Sequence, residues 1–438
     1  MRNGLLTLLG ILVVGATVAQ AQPAPPSAAP PPDPGRFGHP WDRGWEALLM
    51  SAAAPDPGAQ PPAPPPQPAE PESPANRAWF GVDYLLWWSK NGPLPTPLVT
   101  TGPASVTIPG GLTEPGTQVL YGGSDLDFGL ASGLHAEAGL WLDGEHQWGL
   151  EAEGFFLEQR STGFSAHSTT SGSPVLAQPL INPATGQEFT EVVALPGLIA
   201  GGIAVTTHSL LRGWEVNGLA NVWRGEGFNI DLLAGLRAAR LDEDLESFSA
   251  FAPLANGFLT FQGRSVTKAD TLSTLDTFEA QNQFYGIQVG ARAEWVSGAL
   301  TVGGFGKVAL GGTQELVRIA GESSLAAPGA AVLTVPGGVL AVSSNSGRHF
   351  RDEFAALPEV GLRVSYRLSR RIEAHMGYSF LYLSRVARPG NQVSRSIEPG
   401  LIPTDAAFGT PTATPPSFQL RSSDYWAQGL NFGLEFHF

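Results

Sequence analysis

Apolar and polar residues alternate with a period of two along much of this chain, which places successive side chains on opposite faces of a β-strand. In residues 228–238, Phe228, Ile230, Leu232, Ala234, Leu236 and Ala238 share one face. Asn229, Asp231, Gly235 and Arg237 share the other, with Leu233 as an apolar exception. Residues 285–295, 358–368 and 372–382 repeat the pattern. The alternating stretches number about ten, an even count such as single-chain outer-membrane barrels have. They fall near 78–90, 127–142, 147–160, 205–223, 227–244, 282–297, 299–315, 353–368, 371–386 and 418–438. Connections alternate between short turns at 143–146, 224–226, 297–298 and 369–370 and long loops at 91–126, 161–204, 245–281, 316–352 and 387–417. The pattern predicts an all-β fold, an antiparallel up-and-down transmembrane β-barrel with turns on the periplasmic side and loops outside.

A soluble β-sandwich also alternates, but its strands run about 5–6 residues. Runs of 11 or more are long enough to cross the hydrocarbon at a tilt. Their other face carries Gly, Ser, Asn, Gln and scattered charges, which suits a polar lumen while the apolar face meets lipid. Trp79, Trp87, Trp88, Trp141, Trp148, Trp214, Trp223 and Trp295 lie near strand ends and predict two aromatic girdles at headgroup level. In the last strand Leu430, Phe432, Leu434, Phe436 and Phe438 alternate with Asn431, Gly433, Glu435 and His437. Phe432, Phe436 and Phe438 are therefore expected to form the signal read by the barrel-insertion machinery. Outer-membrane lipids are the expected surroundings.

The remaining 77 residues read differently. Arg2, the apolar run Leu5 to Val18 and Ala19-Gln20-Ala21 have the order of a signal peptide over 1–21, implying export through the periplasm. Residues 22–77 form a Pro/Ala-rich periplasmic linker of extended character. Trp45, Leu48 and Leu49 within it fall at helical spacing. They suggest a short helix that either rests on the barrel rim or docks a periplasmic partner. No later segment approaches about 18 uninterrupted apolar residues, so no transmembrane helix is expected.

Only 15% of residues are charged, against about 25% in ordinary soluble domains. The net charge of -14 argues against nucleic acid as a partner, because no basic stripe is available to neutralise phosphates. The absence of cysteine removes disulfides, thiolate chemistry and Cys-type zinc sites. It also suits passage through an oxidising compartment.

Tyr84-Leu85-Leu86-Trp87-Trp88, followed by Pro97-Leu98-Val99-Thr100-Thr101-Gly102, resembles the opening of the planctomycete-type β-barrel outer-membrane protein family. Gly377-Tyr378 to Tyr382, running into Arg388-Pro389-Gly390, is similar to a second family segment. The resemblance spans about residue 78 to the C-terminus, so the expected organisation places the barrel at 78–438. It implies an outer-membrane barrel and supplies no substrate, cofactor or catalytic residue.

No Gly-x-Ser-x-Gly elbow, His-Glu-x-x-His or phosphate loop occurs, so no catalysis and no cofactor are expected. His135 and His375 sit on polar faces and read as lumen residues. His208 lies near a strand end. Asp242, Glu243, Asp244 and Glu246 form the best candidate for a hard cation, but a solvated, negatively charged strand end is the favoured reading; no metal is assigned. Possible lumen-lining charges are Glu137, Glu151, Glu153, Asp231, Arg237, Arg292, Glu294, Arg363, Arg367, Glu373 and Glu435. They either set ion preference in a pore or pair across a narrow barrel and fill it. The small, polar loops suit a passive surface coat or a lid. The favoured function is a narrow outer-membrane barrel with a porin-like or structural role. A surface interaction or adhesion protein acting through its loops or Pro-rich arm is the alternative.

Overall fold

The computed structural model describes residues 77–410 and 418–438. The expected signal peptide, the linker up to residue 76 and its helical island lie outside these residues.

Ten strands form a closed ring. They are β1 (Ala78–Ser89), β2 (Leu130–Trp141), β3 (Trp148–Leu157), β4 (Ile199–Gly225), β5 (Phe228–Pro253), β6 (Thr271–Ser297), β7 (Leu300–Ala326), β8 (Gly347–Arg367), β9 (Ile372–Ala387) and β10 (Ser422–His437). Each pairs antiparallel with the next, and β10 returns to β1 from Trp79↔His437 to Ser89↔Ala427. The Phe438 amide donates to the Ala78 carbonyl at 2.8 Å. Closure satisfies every edge along the shared height of the wall, as lipid requires. No helix among the described residues is long and apolar enough to cross a membrane.

Near the short turns the outward face is apolar and open: Ile287 is 71% and Leu362 70% exposed. Trp88, Trp148, Trp214, Trp223 and Trp295 are exposed, but Trp79 and Trp87 are buried in the lumen and Trp141 packs on Trp79 at 5.7 Å. Those three do not belong to the girdles. Trp79 and Trp87 have the parity of the inward-facing Asp83, and period two fixes their side.

Five adjacent strands extend far beyond the alternating stretches read from sequence: β4 to β8 have 21–27 residues, against 10–16 in the other five. The period persists in the extensions, but its phase inverts. Asp242, Asp244 and Glu246 point outward on β5, while Leu241, Leu245 and Phe251 are buried inside. Above the lipid band the wall faces water, and the apolar side becomes the inner one.

The long loops build a cap over this extended wall. Arg160–His167 pairs with the outer half of β4, correcting the loop expected there. Pro97–Thr101, Gln118–Gly122, Leu176–Ile181 and Glu188–Ala194 form a separate four-stranded sheet. Its buried residues join Val339–Val342, Ile397, Ile402 and the inward side chains of the wall in one apolar core. Of the two expectations for the loops, this inward packing fits a lid and not a passive surface coat. Asp276 on β6 fastens the segment around Val339: its Oδ1 accepts the N–H groups of Val339, Leu340 and Ala341 at 3.0, 2.9 and 2.7 Å.

Candidate functional site in the barrel lumen

Inward positions change character in layers from the turn end to the loop end. On β1 they read Trp79, Gly81, Asp83, Leu85, Trp87, which is an aromatic residue, a gap, a charge and two apolar residues. Every other strand contributes to the same layers because its register with its neighbours is fixed.

Nearest the turns is a vestibule of about 360 Å³, lined by Arg224, Arg292, Glu294, Arg367, Glu373 and His437, among others. Trp141 forms part of its wall, stacked on His146 at 5.5 Å and approached by the Arg224 guanidinium at 5.7 Å. Deeper lies a cavity of about 100 Å³. Both cavities are lined by Glu137, Arg292, Glu294, Thr301, Arg363 and Ser365.

The lumen is crossed by ion pairs, several of them between strands that are not neighbours. Arg292 on β6 reaches Glu151 on β3 at 3.0 Å and Asp231 on β5 at 3.1 Å. Arg363 on β8 meets Glu137 on β2 and Glu435 on β10, both at 3.1 Å. Lys307 on β7 binds Glu153 at 3.1 Å and Glu215 at 2.8 Å. Arg237 on β5 bonds to Glu359, to Glu215 at 3.2 Å and to Gln288 at 3.0 Å. Asp83 stands between two histidines, 2.8 Å from His135 Nδ1 and 2.5 Å from His375 Nε2. Glutamates at Glu137, Glu153 and Glu215 are in direct lateral register on three neighbouring strands. Like charges so placed repel, and the cations from elsewhere on the ring offset that repulsion. Lumen glycines make space for this packing: a Cβ at Gly361 would enter the Phe305 ring, and one at Gly139 the Trp79 ring.

Above the charges the lumen turns apolar. Leu85, Trp87, Leu211, Leu241, Phe284, Leu357, Leu381, Leu383 and Tyr425 are each 4% exposed or less and pack as one cluster. Above it Glu243 and Arg388 form a buried ion pair. The cap core follows.

The structure brings most of the sequence-derived charges together. Glu137, Glu151, Asp231, Arg237, Arg292 and Arg363 meet in the ion-paired layer, while Glu294, Arg367 and Glu373 line the vestibule. Phe432, Phe436 and Phe438 share the outward parity of β10, with Phe438 66% exposed. The acidic run at 242–246 is not one site. Glu243 points inward to Arg388, Asp242 pairs outside with Arg240 and Arg212, and Asp244 with His208. Neighbouring positions on a strand face opposite ways. Asp83, Glu215, Lys307 and Glu359 were missed as site residues, although parity with Asp231 or Arg237 across the registers would have found them. Among the described residues no group of three or more His, Cys, Asp or Glu could hold a metal ion directly.

Solved structures similar to this chain include the crystal structure of outer membrane protease OmpT from Escherichia coli, at 8% identity and a TM-score of 0.39, covering 83% of this chain and 97% of that one. The P. putida toluene transporter TodX is similar at 7% identity and a TM-score of 0.19, covering 84% and 93%. No curated protein sequence matches the chain. The model of the family described as Putative beta barrel porin-7 (BBP7) matches residues 79–438, and the chain belongs to that family of outer-membrane β-barrels.

Proposed function

We propose that this protein is a narrow outer-membrane barrel, porin-like in build and structural in role, whose lumen is closed in its resting state. One observation carries the reading: the buried apolar layer around Trp87, Phe284 and Leu357 spans the lumen between the charged chamber and the cap. Ions do not cross a packed hydrocarbon layer at useful rates, because stripping their water costs far more than thermal energy. The turn end is assigned to the periplasm and the loop end to the outside, as in barrels with short turns and long loops. The chamber of ion pairs then opens toward the periplasm. The reading includes no catalytic role. Phe438 at the end of β10 fits recognition by the barrel-insertion machinery in the periplasm.

Planar-bilayer recording of the refolded protein tests this. We expect a folded, heat-modifiable barrel with no steady conductance steps. Stable ohmic steps from the intact protein would overturn the closed lumen.

A second reading has its own support. The cap carries a separate four-stranded sheet, and Val119 on its strand Gln118–Gly122 is 44% exposed. A surface-interaction role for the loops predicts that cells displaying the barrel lose binding to their partner when residues 91–126 are trimmed.

A further inference from the structure

One lateral row of the outer wall carries a serine, a histidine and an aspartate side by side. Ser161, on the edge strand Arg160–His167, stands opposite His208 of β4, and His208 stands opposite Asp244 of β5. Asp244 points outward, and direct partners in a ladder share a face. Ser161 is exposed, while His208 and Asp244 are half-buried. His208 Nδ1 lies 2.8 Å from Asp244 Oδ2. An ionised carboxylate only accepts hydrogen bonds, so Nδ1 carries the proton and Nε2 is left as the acceptor. Among the described residues neither Nε2 nor the Ser161 hydroxyl has another hydrogen-bond partner. Direct partners have Cβ atoms about 4.5–5.5 Å apart, a span that side-chain rotation closes between a serine Oγ and an imidazole Nε2. No contiguous motif marks the row, because its members come from three strands.

The edge strand adds a further part. It pairs with β4 on one side and ends the sheet on the other. The Ser168 N–H donates to the Gly201 carbonyl of β4 at 2.9 Å. Backbone groups alternate in direction along a strand, so the N–H groups of Ser161 and Gly163 face the open edge. Gly163, the next outward position, leaves the space beside Ser161 clear. We propose that this row hydrolyses carboxylic esters, with Ser161 as nucleophile, His208 as general base and Asp244 as the positioning residue that holds the ring. The inference goes beyond the reading of the lumen and does not depend on it. A triad is defined by these roles and not by chain order. Ser161 Oγ attacks the ester carbonyl carbon while His208 Nε2 takes the hydroxyl proton. The edge N–H groups face the oxyanion. The C–O bond to the alcohol then breaks, and the alcohol leaves with the proton from His208. Water attacks the acyl-serine, gives its proton to His208 and releases the acid, and the proton returns to Ser161. The row lies on the wall extension above the lipid band, so the substrate is a short-chain ester in the aqueous layer.

The full chain refolded in detergent is the test material, with a fluorophosphonate label and p-nitrophenyl butyrate as probes. The label bonds its phosphorus to a reactive serine oxygen and loses fluoride. Mass spectrometry is expected to place the adduct on Ser161. Ser161→Ala should abolish labelling, and His208→Gln should lower butyrate hydrolysis about 10²-fold or more, the usual share of a general base. Asp244→Asn should slow both reactions and Asp244→Glu restore part of the rate, whereas Ser165→Ala, on the same face of the edge strand, should change neither. Heat-modifiable mobility checks that each variant folds, and the adduct site on the unaltered chain decides without any variant. A label that never reaches Ser161, or butyrate hydrolysis as fast in Ser161→Ala as in the unaltered chain, would overturn the proposal.

Discussion

Glu153 on β3 and Glu215 on β4 stand directly opposite one another, and the Lys307 ammonium from β7 reaches both, at 3.1 Å and 2.8 Å. Two carboxylates in this position repel, and one buried cation converts the repulsion into a tie across the lumen. Lys307→Met keeps the length of the side chain and removes the charge. It should destabilise the barrel by about 3–5 kcal/mol, the usual cost of breaking a buried ion pair from one side. Urea unfolding in detergent micelles measures it. Adding Glu215→Gln to Lys307→Met should recover part of the loss, and no recovery would mean that the pair does not repel as described.

The apolar layer makes a different prediction. Phe284 is 0% exposed and sits with Trp87 and Leu357 in the packed cluster above the charges. Phe284→Ala should cost about 3–5 kcal/mol through lost burial and the cavity left behind. Ile287 lies on the outward face and is 71% exposed to the surroundings, so Ile287→Ala should cost much less in the same unfolding assay. Equal costs would show that the layer is not packed.

The latch of the cap should respond to pH. Asp276 lies on β6 beyond the lipid band, and burial pushes its carboxyl up to about 7, with the N–H groups of Ala341, Leu340 and Val339 opposing only part of that rise. An unfolded aspartate titrates near 3.9. Between about pH 4 and 7 the folded latch therefore holds more protons than the unfolded chain, and its stability falls as pH rises through that window. Limited proteolysis within residues 337–346 should be slower at pH 5 than at pH 8. In Asp276→Asn the rates at the two pH values should converge, after correction for the protease's own pH profile. An unchanged ratio would remove Asp276 as the cause.

Parity alone settled much of the architecture. Alternation in β5, β6, β8 and β9 identified the lipid-facing side and brought Asp231, Arg237, Arg292 and Arg363 to the lumen, because period two leaves a strand residue no other choice. Short and long connections gave the strand order, since antiparallel neighbours need only a tight turn. Three things needed the tertiary structure. The strand extensions were hidden because the apolar face of β5 changes from Leu236 outside to Leu245 inside once the wall leaves lipid. The cap was hidden because Val99, Leu180, Ala341 and Ile402 come from distant loops with no shared period. Partner choice inside the lumen was decided by ring closure, which sets Lys307 against Glu153 and Arg363 against Glu137 across strands that never touch in register. Sequence determines which side of a strand a residue faces, but only the closed ring determines what it meets there.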